Sequence, residues 1–198
     1  MRLVFFALVT TLILTGCFTH PKQPVSYYQF DSVVQQQKTD KLDKQTILLV
    51  DKVQLNELYD QQALIQVQAN NQVNIANFHF WAQPPSEMLT WQLIDALNQQ
   101  PQLVALNSTK YYRDNQPHYR LAIELNEFAG HHAKGAIMTG SWYLYYFDQG
   151  RYQLHQLNNF SFTTPLQADG FSALVSAHQN NFAQLQQQLK RALKRQYE

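Results

Sequence analysis

The stretch HYRLAIELNEF, residues 118 to 128, decides the fold. Tyr119, Leu121, Ile123 and Leu125 fall on one side of an extended chain, and Arg120, Ala122, Glu124 and Asn126 on the other. Period two over this length predicts a strand with one face on a core. A loop at Ala129 to Lys134 leads to a second run, Gly135 to Phe147, GAIMTGSWYLYYF. Asp148-Gln149-Gly150 supplies a turn, and Arg151 to Phe162 runs back. The three stretches predict an antiparallel meander with one covered face.

Working back towards the N-terminus, Leu103 to Leu106 is a brief apolar strand. Before it, Pro84-Pro85-Ser86-Glu87 opens a helix, because Pro suits a first turn and Glu87 suits the positive end of the helix dipole. Leu89, Leu93, Ala96 and Leu97 recur at helical spacing, and Pro101 ends the segment. Ala63 to Gln68 and Gln72 to Ile75 flank Asn70-Asn71, which predicts a hairpin, with Asn77 to Trp81 prolonging or following its second arm. Thr46 to Leu55, TILLVDKVQL, reads as one central strand, and Asn56 to Gln62 as a turn or a single helical turn. Val25 to Phe30 is a short aromatic strand, and Asp31 to Gln45 a polar loop.

Working forward, Asp169 to Lys194 predicts a long helix. Phe171, Leu174, Val175, His178, Phe182, Leu185, Leu189 and Leu193 make one apolar stripe. The fold class is therefore α+β, an α/β sandwich: a mixed, mostly antiparallel sheet with two amphipathic helices packed on one face. The strands around the first helix leave room for some parallel pairing.

The first residues follow other rules. MRLVFFALVTTLILTGC has a positive start at Arg2, an apolar run from Leu3 to Leu14 and small residues at its exit. That is the pattern of a secretory signal, and the run is shorter than the ~20 residues that span a bilayer. Leu14-Thr15-Gly16-Cys17 resembles the bacterial lipobox, with Leu14, Thr15 and Gly16 recognised by the signal peptidase and Cys17 lipidated. Cys17 is the one cysteine of the chain. A lone thiol in a secreted protein calls for an explanation, and acylation supplies it. Residues 1–16 are then a lipoprotein signal peptide, 17–24 a lipidated tether kept extended by Pro21 and Pro24, and 25–198 a single globular domain. An S-diacylglycerol and an N-acyl chain such as palmitate would hold Cys17 on a membrane, at about 0.8 kcal/mol per buried methylene. Phe18 replaces the Asp that the bacterial sorting rule reads as an inner-membrane signal, so the expected location is the periplasmic face of the outer membrane.

Composition narrows the function. Lys plus Arg number 15 against 14 Asp plus Glu, and losing Arg2 brings them level, so a nucleic-acid partner is disfavoured. No Gly-rich phosphate loop or nucleophile elbow occurs. Glu124 and Glu127 lie three apart on a strand and should point to opposite faces unless a bulge intervenes. His131-His132 reads as a solvated hairpin tip, since adjacent residues rarely chelate together. His178 reads as a satisfied core histidine. Lys190 to Arg195 reads as a cationic helix end complementing the dipole, with anionic headgroups as the rival partner. Trp81, Trp91 and Trp142 belong to the core or to a partner surface. With no nucleophile–base set visible, the chain reads as a non-enzyme without catalytic, metal or cofactor sites.

The ordered series of these features resembles the PqiC/YmbA-type auxiliary lipoproteins of ABC transport systems. The matching elements are Leu14 to Cys17, Tyr27-Tyr28-x-Phe30, Leu49 to Leu55, and Phe80-Trp81-Ala82-Gln83-Pro84 opening a helix. Tyr119-Arg120-Leu121 with Glu127-Phe128, Gly140-Ser141-Trp142, and the helix after Asp169-Gly170-Phe171 complete it. The resemblance implies a partner of MCE proteins in lipid traffic between two membranes, docking a periplasm-spanning MCE protein, with assembly as a homo-oligomeric ring. A second reading is a periplasmic lipid or lipopolysaccharide carrier holding acyl chains in its own cavity, which the aromatic richness motivates.

Overall fold

The computed structural model describes residues 23–31, 46–109 and 116–196. The sequence signals at Leu14, Thr15, Gly16 and Cys17, and nearly all of the expected loop from Asp31 to Gln45, lie outside these residues.

The decisive stretch is the axis of the molecule. It forms β7, His118–His131, and runs three residues past the expected Phe128. Fourteen residues at about 3.4 Å each give roughly 48 Å of strand. That length lets one edge of β7 accept three short strands in succession. β2 (Thr46–Val50) pairs in parallel with its start, β3 (Gln54–Leu55) with its middle, and β4 (Ala63–Val67) with its end. The other edge pairs along its length with β8 (Gly135–Asp148), which in turn pairs with β9 (Arg151–Thr164), both antiparallel. β5 (Val73–Trp81) returns against β4, β1 (Ser26–Tyr28) lies parallel to β5, and β6 (Leu103–Asn107) lies parallel to β2. The nine strands make one mixed sheet. Its long antiparallel ladders carry most of the paired residues, as expected from the meander.

Turn chemistry fixes the hairpins where the sequence placed them. Asn71 adopts φ 61° between β4 and β5. Gln149 and Gly150 both take positive φ, 48° and 80°, between β8 and β9, the conformation that suits strand twist in a tight hairpin.

One expected strand is broken. Thr46 to Leu55 splits at Asp51–Val53 into β2 and β3. There the backbone peels away from the ladder: Asp51 N still donates to Leu121 O of β7 at 2.9 Å, but Val53 N turns to Thr90 Oγ1 at 2.9 Å. The detour lets the chain pair with β7 twice.

Helix α1, Pro85–Leu97, follows Pro84 as predicted. Its start is anchored by Ser86 N donating to Asp60 Oδ1 at 3.0 Å. Its end is locked by Asn98, whose amide exchanges two hydrogen bonds of 2.9 Å with the backbone of Ala105 in β6. Helix α2, Phe171–Lys194, begins two residues later than expected, after Gly170 at φ 99°. Both helices bury their apolar stripes against the same face of the sheet. Leu89, Leu93, Leu97, Leu121, Ile123, Trp142, Leu174, Leu185 and Leu189 share one core. Each such side chain contributes about 1.5–3 kcal/mol on burial. A smaller cluster of Ile47, Leu49 and Val104 lies apart from it. No helix among the described residues is long and apolar enough to cross a membrane.

Candidate functional site

β9 pairs with β8 alone among the described strands, so it forms one margin of the sheet. Such an edge presents a row of N–H and C=O groups without ladder partners. Helix α2 runs beside this edge and is fastened to it at two points. At one, Thr164 Oγ1 donates to Asn181 Oδ1 at 2.7 Å, while Asn181 Nδ2 donates to Ala136 O at 2.9 Å. At the other, the His155 ring Nε2–H donates to Gln196 Oε1 at 2.6 Å. Between these fastenings the helix and strand part, leaving a groove of about 560 Å³.

Period determines what faces the groove. On β9, Gln156, Asn158, Phe160 and Phe162 lie opposite Leu144, Trp142, Gly140 and Met138 of β8, on the helix side of the sheet. Gln184, Gln187, Gln188 and Arg191 of α2, and Arg195 just past its end, complete the walls. The lining is thus amide-rich with an aromatic base and two guanidinium groups at the C-terminal end. No carboxylate lines it, and neither arginine is ion-paired among the described residues. Trp142, 1% exposed, reaches the groove, and its buried Nε1–H finds no acceptor.

A bulge limits the regular part of this edge. The β8–β9 register shifts between Leu144 and Tyr145, with His155 the extra residue of β9. From Gln156 to Thr164 the ladder is regular, and the groove lies along that portion.

A second cluster sits on the helix-free face. The Arg120 Nε–H is shared between Asp51 Oδ1 and Oδ2 at 3.0 and 2.9 Å. Its guanidinium carbon lies 5.3 Å from the Tyr152 ring centre. His118 holds Gln116 O through Nδ1 at 2.8 Å and meets the Tyr152 hydroxyl through Nε2 at 2.9 Å. The hydrogen bond to Asp51 pushes the Arg120 pKa above its ordinary value. These contacts fix β2, β7 and β9 to one another and form no nucleophile–base pair.

The residues singled out in the sequence take their places as follows. Trp81 and Trp142 are buried, and Trp91 is exposed. His131 ends β7 at a hairpin whose turn holds His132, and no group of three or more His, Cys, Asp or Glu among the described residues could hold a metal. Glu124 and Glu127 are brought onto one face, because a bulge between Leu125 and Glu127 sets them opposite Ser141 and Thr139, two residues apart on β8. Glu124 accepts a 3.3 Å hydrogen bond from Tyr143, and neither carboxylate lines the groove beside β9. His178 is in the core as expected, with ring centres 4.2 Å from Phe128 and 6.0 Å from Trp81. It is not satisfied, however: its Nδ1 is buried without a partner, and desolvation lowers its pKa to about 3. In the basic run, Lys190 Nζ donates to Gln99 Oε1 at 3.4 Å, and partial burial pulls its pKa below the usual lysine value. Arg191 and Arg195 turn to the groove. The sequence reading gave these two only a dipole or headgroup role. The groove itself went unseen, since it arises from the parting of helix and edge strand. The run of Gln and Asn at alternating strand and helical positions was its one visible trace.

The fold and this surface define a class: a sheet–helix scaffold with an open, amide-walled edge groove and no assembled catalytic set among the described residues. The chain belongs to the family of ABC-type transport auxiliary lipoprotein components, whose model matches residues 28–190. Two crystal structures share the fold. One, of an uncharacterised protein, is 22% identical, with a TM-score of 0.70, and the match covers 86% of this chain and 99% of that one. The other, of a Xanthomonas campestris protein, is 17% identical, with a TM-score of 0.63, and covers 83% and 92%. No curated protein matches this chain.

Proposed function

We propose that this chain is an outer-membrane lipoprotein, acylated at Cys17, that serves as a non-enzymatic auxiliary component of an ABC/MCE-type system moving lipid between membranes. Its part is mechanical. Acyl chains fix the N-terminus to the periplasmic face, a short extended tether follows, and the sheet–helix scaffold docks a periplasm-spanning MCE protein, with several copies assembling as a ring. The family match over residues 28–190 carries the reading. The lipobox at Leu14 to Cys17 and the absence of a nucleophile–base pair among the described residues support it.

A carrier of acyl chains would need an enclosed apolar cavity. The groove beside β9 is open and walled largely by Gln and Asn, which favours docking over carriage. The test is co-purification from envelopes at native expression. An MCE-type partner should be recovered with the lipoprotein. Its absence from cross-linked and uncross-linked preparations alike would overturn the docking role.

A further inference from the structure

The groove between β9 and α2 has the features of a peptide-binding edge. Its strand wall carries backbone donors and acceptors without ladder partners among the described residues from Gln156 to Thr164, the regular portion beyond the His155 bulge. Edges that proteins protect are shortened, charged or bulged. This portion has no Lys, Arg, Asp, Glu or Pro between Gln156 and Thr164, and its one bulge lies outside it. The side walls offer amides, which both donate and accept, as a peptide backbone requires. Two guanidinium groups without an ion pair among the described residues stand at one end, with no carboxylate among the described lining residues, so the charge complement is an anion at one end of the occupant.

We propose that this groove binds an extended peptide segment of the partner, added as a tenth strand along Gln156 to Thr164 of β9, with an acidic side chain or C-terminal carboxylate held by Arg191 and Arg195. Strand addition supplies affinity through main-chain hydrogen bonds and specificity through alternate side chains. The Arg pair fixes the direction of the segment, since carboxylate recognition by guanidinium is directional. The proposal rests on the docking role above and names the kind of segment that docks.

The experiment selects random 12-residue peptides with free C-termini against the full-length lipoprotein in detergent. The most enriched peptide is synthesised and its binding measured by fluorescence anisotropy. Hydrogen exchange of the complex then locates it. The expected result is slowed exchange at the amides of Gln156 to Thr164, and at least tenfold weaker binding to the R191E/R195E double variant. Both arginines are exposed, so that variant should still unfold cooperatively in urea, its midpoint lowered only slightly by the loss of two cations from the helix C-terminus. The proposal is overturned if no peptide is enriched, if protection falls on another strand, or if the double variant binds as well as the wild type. It is also overturned if dihexanoyl phosphatidylglycerol displaces the peptide through the same arginines, which would make the site one for a lipid headgroup. If the double variant still co-purifies with the MCE partner, the groove assignment fails while the docking role stands. If the partner is lost together with the peptide, both are supported.

Discussion

Asn181 of α2 grips Thr164 of β9: its Oδ1 accepts from the Thr164 hydroxyl at 2.7 Å while its Nδ2 donates to Ala136 O at 2.9 Å. Asn181 is fully buried, so it is the polar hinge pin between helix and edge strand.

Asn181→Leu removes both bonds and leaves the Ala136 carbonyl buried without its partner. The cost should be about 2–4 kcal/mol, since an unsatisfied buried group loses more than the net worth of its bond. Urea unfolding followed by tryptophan fluorescence measures it. Asn181→Asp should be at least as costly, because the carboxylate has no donor for Ala136 O. A loss below about 0.5 kcal/mol in both variants would mean the helix is held by apolar packing alone.

The Asp51–Arg120 pair closes the opposite face. Arg120 Nε lies 2.9 Å from Asp51 Oδ2, with the aspartate side chain 19% exposed and the arginine 41%. A pair this open is worth less than a buried one, about 1 kcal/mol or a little more. Asp51→Asn and Arg120→Met should each lower stability by about 1–2 kcal/mol. A double-mutant cycle should give a coupling near 1 kcal/mol, and additivity of the two losses would deny the pair any energetic role.

His178 predicts a dependence on acid. Its folded pKa is lowered to about 3 by desolvation, against an ordinary value of 6.5. Above pH 6.5 both folded and unfolded states carry it neutral, so its contribution to stability is fully present there. Between pH 6.5 and 3 the unfolded chain takes up a proton that the folded chain refuses, and stability falls as pH drops. The slope from this group approaches about 1.4 kcal/mol per pH unit. His178→Phe should flatten the stability profile over that window. Equal slopes for variant and wild type would show that the ring is protonated in the folded core.

Much of this fold was legible because its signals are local. The alternation of Tyr119, Leu121, Ile123 and Leu125 marked β7 as half-buried, and the stripe from Leu174 to Leu193 marked α2. Pro84-Pro85 and Asn70-Asn71 punctuated the chain where α1 and the β4–β5 hairpin occur. What escaped notice depends on distant partners. The split after Asp51 answers to Thr90, which accepts from Val53 N, and to Arg120, which holds Asp51, and no periodicity reports either partner. The bulge between Leu125 and Glu127 inverts the facing of Glu127, a one-residue slip that pattern alone cannot place. The groove needs both the end of β9 and the second half of α2. His178 was read correctly as core, but its missing hydrogen bond is a fact of packing.

The proposed mechanical role depends on the anchor at Cys17, and fractionation of the envelope tests that anchor most directly. Wild-type protein should band with the outer membrane on a density gradient, with an N-terminal peptide whose mass shows a diacylglycerol and an acyl chain on Cys17. Cys17→Ala should leave that band and lose its hold on the MCE partner. A Cys17→Ala protein that stays in the outer membrane, or a wild-type N-terminus without lipid, would contradict the claim.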